Sequence, residues 1–374
     1  MKKIGLYVCT CLPLAVLAFS TSIPALAQQS TPAVSAASPT SASIGLSSSM
    51  VLDTVITDKA GNRITGLKPE DFTVLDNKQR QTVTVSEETP AGAAVEAYVL
   101  IDEINPNMAL LASARNDFIA YFKRGAQLPI PTSLVFLTVD GLKFQQEPSR
   151  DPSVLLTNLQ NNPTTTQTFQ SATTSEQPLR DGYYNFEARR EKCLQAMNVL
   201  SLKLAKRQGR KLVIWVSPGW GEYVLQGSRM SRKNFDDLFT YEASLSTAVQ
   251  AAHITLYSVE PSGADCTTCT QNSHYKAYMK GPASAGDADQ NDLMLQALVA
   301  KTGGKVLWGR NDIAGMVDEC LKDAQDYYVI SYPAPPAPRD KTFHEIRVEV
   351  NKPKAQVRTR WGYFALPVST GEQH

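Results

Sequence analysis

Ala97-Tyr98-Val99-Leu100-Ile101-Asp102-Glu103-Ile104-Asn105 is an unbroken apolar run that ends on two carboxylates. Such a run predicts a strand buried on both faces, as in a parallel sheet covered by helices. Ligands of these sheets bind beyond the carboxyl ends of the strands. Asp102, Glu103 and Asn105 are therefore the first candidate site residues. Helical spacing follows over Met108 to Phe122. Ser133 to Thr138 and Leu142 to Gln146 read as strands joined by Asp140-Gly141, a tight hairpin signal. Asp151-Pro152 opens a helix through Leu159, with proline at the first helical position. Asn161 to Gln177 is a polar, Thr-rich surface loop.

The alternation continues. Tyr184 to Arg207 is a helix, and Lys211 to Val216 a buried strand stopped by Ser217-Pro218-Gly219. Ser231 to Ala252 is a helix and Ile254 to Val259 a strand. Asp292 to Lys301 is a helix closed by Gly303-Gly304. Lys305 to Trp308, Asp312 to Ala324 and Tyr327 to Tyr332 read as strand, helix and strand. Strands alternating with helices over 95–332 predict an α/β domain with a doubly wound, mostly parallel sheet. The flanks are different. Val51 to Glu87 and Thr342 to Tyr363 each carry a few short alternating strands, too few to stand alone. Both chain ends are expected to pair into one small β domain, with the α/β domain inserted in it.

The first 48 residues have their own character. Lys2 and Lys3 precede an apolar stretch from Leu12 to Phe19, then Pro24 and the small-x-small site Ala25-Leu26-Ala27. This order is that of a secretory signal peptide over 1–27. Its core is too short to span a bilayer, which needs about 20 apolar residues. The chain is expected to be exported, to the periplasm or beyond, with no membrane span after cleavage. Residues 28–48 are rich in Ser, Ala, Thr, Pro and Gln, a composition that cannot offset its ordering entropy. The tail, 367–374, is expected to fray.

The chain has 374 residues, 37 basic and 36 acidic. That balance gives no electrostatic footprint for nucleic acid. Four cysteines follow the cleavage site: Cys193, Cys266, Cys269 and Cys320. Cys266-x-x-Cys269, with His274 beyond it, leaves several readings open: a loop disulfide, idle thiols, or an incomplete metal or redox site. Met279 stands where a zinc knuckle would need its next cysteine. Cys193 and Cys320 fall in helical stretches, where buried, inert thiols are the default.

Thr57-Asp58-Lys59-Ala60-Gly61-Asn62 and Thr65-Gly66-Leu67-Lys68-Pro69-Glu70-Asp71-Phe72-Thr73-Val74-Leu75 open the chain beyond the leader. Thr302-Gly303-Gly304-Lys305, Tyr327-Tyr328-Val329-Ile330-Ser331-Tyr332 and Arg358-Thr359-Arg360-Trp361-Gly362-Tyr363-Phe364-Ala365 close it. On these motifs, from about Val51 to Ala365, the chain resembles the von Willebrand factor A-type family, in its VWFA-related branch of secreted bacterial proteins. The resemblance implies a metal-ion-dependent adhesion site with Asp-x-Ser-x-Ser in its first loop, a Thr from a second and an Asp from a third. Asp102 matches the first Asp. Ile104 and Pro106 stand at the two Ser positions, and Ser217 at the third-loop Asp; Thr164, Thr165 and Thr166 are candidates for the Thr. The site is degenerate.

Two readings of Asp102, Glu103 and Asn105 follow. Either they form a substitute oxygen site for weakly held Mg²⁺, with Asp102 and Asn105 as ligands, or Asp102 caps the next helix or bonds loop amides. Loss of two or three of five ligands favours the second and implies no cofactor. Trp220 and Tyr223 follow the fourth strand on the same rim, as binding anchors or as packing across the strand ends. The expectation is a non-catalytic, adhesion-like module outside the cytoplasm, with a protein partner. The alternatives are a secreted hydrolase using Asp102, Glu103 or Ser217, and a structural component of the envelope.

Overall fold

The computed structural model describes residues 49–88, 94–145, 147–163, 178–220, 231–264, 271–282, 284–324, 327–335 and 342–365. Residues 1–27, read from sequence as a signal peptide, the 28–48 stretch, Thr164 to Thr166, Tyr223, Cys266, Cys269 and residues 367–374 lie outside them. The first four strands are β1 (Ser49–Thr57), β2 (Phe72–Asp76), β3 (Gln79–Arg80) and β4 (Thr84–Glu88). Then come β5 (Val95–Asp102), α1 (Met108–Lys123), β6 (Thr132–Thr138), β7 (Gly141–Phe144), α2 (Pro152–Asn161) and α3 (Pro178–Leu204). β8 (Arg210–Val216), α4 (Arg232–Ala251), β9 (Ile254–Val259), α5 (Leu295–Lys301), β10 (Val306–Leu307) and α6 (Ile313–Leu321) follow. The chain ends in β11 (Tyr327–Pro333), β12 (Thr342–Val350), β13 (Gln356–Arg358) and β14 (Gly362–Ala365).

β10-β9-β8-β5-β6-β7 form one sheet. Its pairs are parallel from β10 to β6, and β7 is antiparallel at the edge. Strand alternation divides this sheet's side chains between two cores. Val95, Ala97, Val99 and Ile101 face α1, α2 and α6, with Phe118, Leu155 and Met316 against them. Tyr98 and Leu100 face α3, α4 and α5, with Met197, Leu245 and Leu298. Both faces are covered, so both sets of side chains are apolar. The α/β class and the mostly parallel, doubly wound sheet are as expected from the sequence. Four helices start where a polar side chain accepts an early amide: Asn107 from Leu110, Asp151 from Ser153, Ser231 from Asn234 and Asp312 from Gly315.

The other eight strands make two antiparallel sheets, β13-β1-β11-β4 and β14-β12-β2-β3. Their inner faces share one core that includes Leu52, Ile56, Phe72, Val74, Tyr328, Ile330 and Val348. Each sheet mixes strands from the two ends of the chain. β11 is a correction: Tyr327–Tyr332 was expected within the α/β domain, yet it pairs with β1 and β4. Tyr328, Ile330 and Tyr332 are buried while Val329 and Ser331 are half-buried. That alternation suits an antiparallel strand rather than one buried on both faces. Asp292 to Lys301 also differs from one helix. Asp292 bonds back to the Asp289 amide in a reciprocal cap, giving a 3-10 turn, and α5 begins only at Leu295.

An ion cluster joins the sandwich to the α/β part. Asp323, 2% exposed, pairs with Arg63 and Arg358 from the sandwich side and with Lys305 from the α/β side. These cations hold its carboxyl below the usual range despite burial.

Candidate functional site: the carboxyl rim

The rim is built where β5, β6 and β8 end. Successive residues of a strand point to opposite faces, and this separates Asp102 from Glu103. Asp102 lies on the α3 side, with Trp215 and Ser217 of the β8 end, and is fully buried. Its Oδ1 accepts the amides of Ile104 (2.9 Å) and Asn105 (3.1 Å). Its Oδ2 accepts Asn105 Nδ2 (2.7 Å), Trp215 Nε1 (3.2 Å) and Ser217 Oγ (2.7 Å). Five donors thus converge on one carboxylate. Asn105 Nδ2 also lies 3.1 Å from Cys193 Sγ, on α3. Burial pushes the Cys193 thiol well up, as for an inert cysteine.

Of the expected roles for Asp102, bonding loop amides describes this geometry; the helix cap falls to Asn107, whose side chain accepts Leu110 N at 3.0 Å. Asp102, Asn105 and Ser217 come together as donors and acceptor of one network. Glu103 turns away from it. The donor set does not fit a hard divalent cation: each Asp102 oxygen is met by N–H or O–H groups, Asn105 presents its nitrogen, and Ile104 and Pro106 bring no side-chain oxygen. Among the described residues no group of three or more His, Cys, Asp and Glu side chains is placed to hold a metal. Ser217, a candidate residue of the hydrolase alternative, is fully buried; its hydroxyl donates to Asp102 at 2.7 Å and accepts the Gly219 amide at 3.0 Å.

Of the two readings of Trp220, anchor or packing across the strand ends, the second describes the structure: the side chain is 3% exposed. Its ring lies 4.5 Å from that of Trp215, and Nε1 donates to Leu293 O at 2.7 Å. The backbone reaches this position through Gly219 at φ +98, where a side chain would also collide with Gln296 at 2.5 Å. Trp220 closes the sheet end and offers no face to a partner.

Glu103 supplies the open part of the rim. With Phe136, Thr138, Lys143, Asn161 and Asn162 it lines a pocket of about 140 Å³. Oε1 lies 3.4 Å from Arg115 Nη1, and no described residue donates to Oε2. Arg115 is spread thin, since its Nη2 also donates to Leu159 O and Asn162 O at the end of α2. Burial outweighs the attraction of Arg115 and Lys143 and pushes the Glu103 carboxyl up to about 7. Arg115, Lys143, Asn161 and Asn162 were not singled out from sequence. The available signal was the Asp140-Gly141 hairpin, which sets Lys143 opposite Phe136 and so beside the β5 end.

No helix among the described residues is long and apolar enough to cross a membrane. No family model matches the sequence, and comparison with curated proteins gives no match. Solved structures to which the fold is similar include manganese-loaded TRAP protein of Plasmodium vivax, 10% identical. That alignment covers 75% of this chain and 97% of the other, with a TM-score of 0.31. Another is the human COPII-coat protein Sec24c, 7% identical, over 76% of this chain and 46% of that one, with a TM-score of 0.29.

Proposed function

We propose that this chain is a non-catalytic protein-binding module that works outside the cytoplasm and engages its partner at the Glu103 side of the carboxyl rim. The observation that carries the proposal is the Glu103 pocket. It is lined by polar and apolar groups together, opens beyond the strand ends where parallel sheets bind ligands, and contains a largely buried carboxylate with an oxygen to which no described residue donates. A partner group that donates to it removes a desolvation penalty already present in the free protein. Binding without a resident metal is part of this reading, because Asp102 is committed to five protein donors. The N-terminal signal and the adhesion-type resemblance support export and binding rather than turnover.

Two experiments test it. A photo-crosslinking residue at Lys143 should capture one defined partner from the source cells, and the same residue at Arg347, exposed on β12, should not. Capture from Arg347 alone moves the interface to the sandwich and sinks the rim assignment. A reporter that is active only after export, fused behind residue 48, should be active; a fusion retained in the cytoplasm overturns the exported reading.

A further inference from the structure

Arg360 lies in the connection between β13 and β14, where the sandwich meets the α/β part. It is 7% exposed. With Asp53 of β1, Gln250 of α4, His253, Thr255 of β9 and Thr302 it lines a crevice of about 20 Å³, space for roughly one water-sized sphere. Its guanidinium donates to no described residue, and only the field of Asp53 opposes its burial, which pulls its pKa down to about 10. It is still charged at neutral pH, and arginine has no neutral form to retreat to in a protein.

The neighbouring charges do not balance. Asp53 is the one carboxylate at the crevice, and it is already engaged by Arg210 at 3.7 Å. Lys211 stands beside Arg210 at the start of β8, its Nζ donating to the carbonyls of Arg207 and Gly209 at 2.8 Å. Burial, with Lys211 and Arg360 nearby, holds the His253 pKa below its ordinary value, so the imidazole adds no further positive charge and, in either protonation state, no negative one. Lys211 is answered from its other side by Glu96, but Arg360 and Arg210 share the single carboxylate Asp53, two to one. A buried guanidinium without a hydrogen-bonded counter-charge is strongly unfavourable. A water in the crevice accepts hydrogen bonds but leaves the charge excess; an anion of the same size supplies both.

We propose that this crevice binds a single monoatomic anion of the halide class, held by Arg360 between β1 and the α4–β9 turn. The site is separate from the rim and does not depend on the function proposed there. It makes the attachment of the sandwich to the α/β part sensitive to halide.

The test compares thermal unfolding of the full chain in sodium chloride, sodium bromide and sodium gluconate at equal ionic strength. Gluconate is too large for the crevice. Chloride and bromide should raise the midpoint by roughly 2 °C or more over gluconate, and the rise should saturate with concentration. Arg360→Met should abolish the difference. Equal midpoints in chloride and gluconate, or a halide shift retained in Arg360→Met, overturn the proposal. Bromide-soaked crystals of the unaltered protein give a second readout, independent of whether the variant folds. An anomalous peak within hydrogen-bond reach of Arg360 supports the site, and a water alone at that position overturns it.

Discussion

Asp102 and Glu103 are adjacent in sequence, and both are buried carboxylates at the end of the same strand. On the Asp102 side, donors from the following loop and from β8 surround the group, and Trp220 shuts the space above them. On the Glu103 side, a single long contact to Arg115 leaves the carboxyl raised to about 7 and facing a pocket. One side uses a charge to fix the architecture. The other keeps a charge poorly satisfied, which is where a ligand gains most by binding.

The largest effect that separates the two sides is expected from Asp102→Ala. It strands five donors, two of them backbone amides, and should cost about 3–5 kcal/mol in urea unfolding. A loss under about 1 kcal/mol would mean that water replaces the carboxylate and that this side is not structural. Trp220→Phe keeps most of the apolar ring but removes the bond to Leu293, so a loss of about 1–2 kcal/mol is expected; no change would return Trp220 to the surface.

Glu103→Gln should act through pH. The folded protein holds a proton on Glu103 up to about pH 7, whereas the unfolded chain releases it near 4.3. The folded state therefore binds more protons between these values, and stability falls as pH rises through them. The variant should lose roughly 1 kcal/mol of that slope, allowing for solvent screening. Glu242 is also raised to about 7, so the measured quantity is the difference between variant and wild-type pH profiles. Identical profiles would show that Glu103 is satisfied after all. The smallest effect belongs to Lys143→Gln. Stability should stay within about 0.5 kcal/mol, while the Glu103 carboxyl titrates at still higher pH by carbon-detected NMR. A downward shift would remove Lys143 from the pocket.

The parallel sheet was legible because burial on both faces writes itself as apolar runs, such as Ala97–Ile101 and Lys211–Val216. The starts of α2, α4 and α6 were legible for a local reason, since Asp151, Ser231 and Asp312 each bond an amide within three residues. The sheet to which β11 belongs was not, because the choice depends on β1, at the far end of the chain. β14, short and opened by Gly362, passed unread as a strand. Trp220 looked like a rim aromatic until Gly219 and Leu293, 73 residues from it, folded it inward. Asp102 and Ser217 were both candidates from sequence, but their bond spans 115 residues. The Glu103 pocket draws on four elements, and no local pattern announces that convergence.

The mixing of early and late strands in the sandwich has a consequence for how the chain acquires its structure. The amide of Leu67 meets the hydroxyl of Tyr328 across 261 residues, and β1 finds β11 and β13 only at the end of the chain. The βα units between them close over much shorter loops, so nucleation belongs there, and the sandwich assembles late. Until then β1 carries unpaired edges on both sides, a template for strands of other molecules. For a chain that emerges from its amino end, the first strand made waits longest for its partners, and aggregation during refolding should originate in that strand.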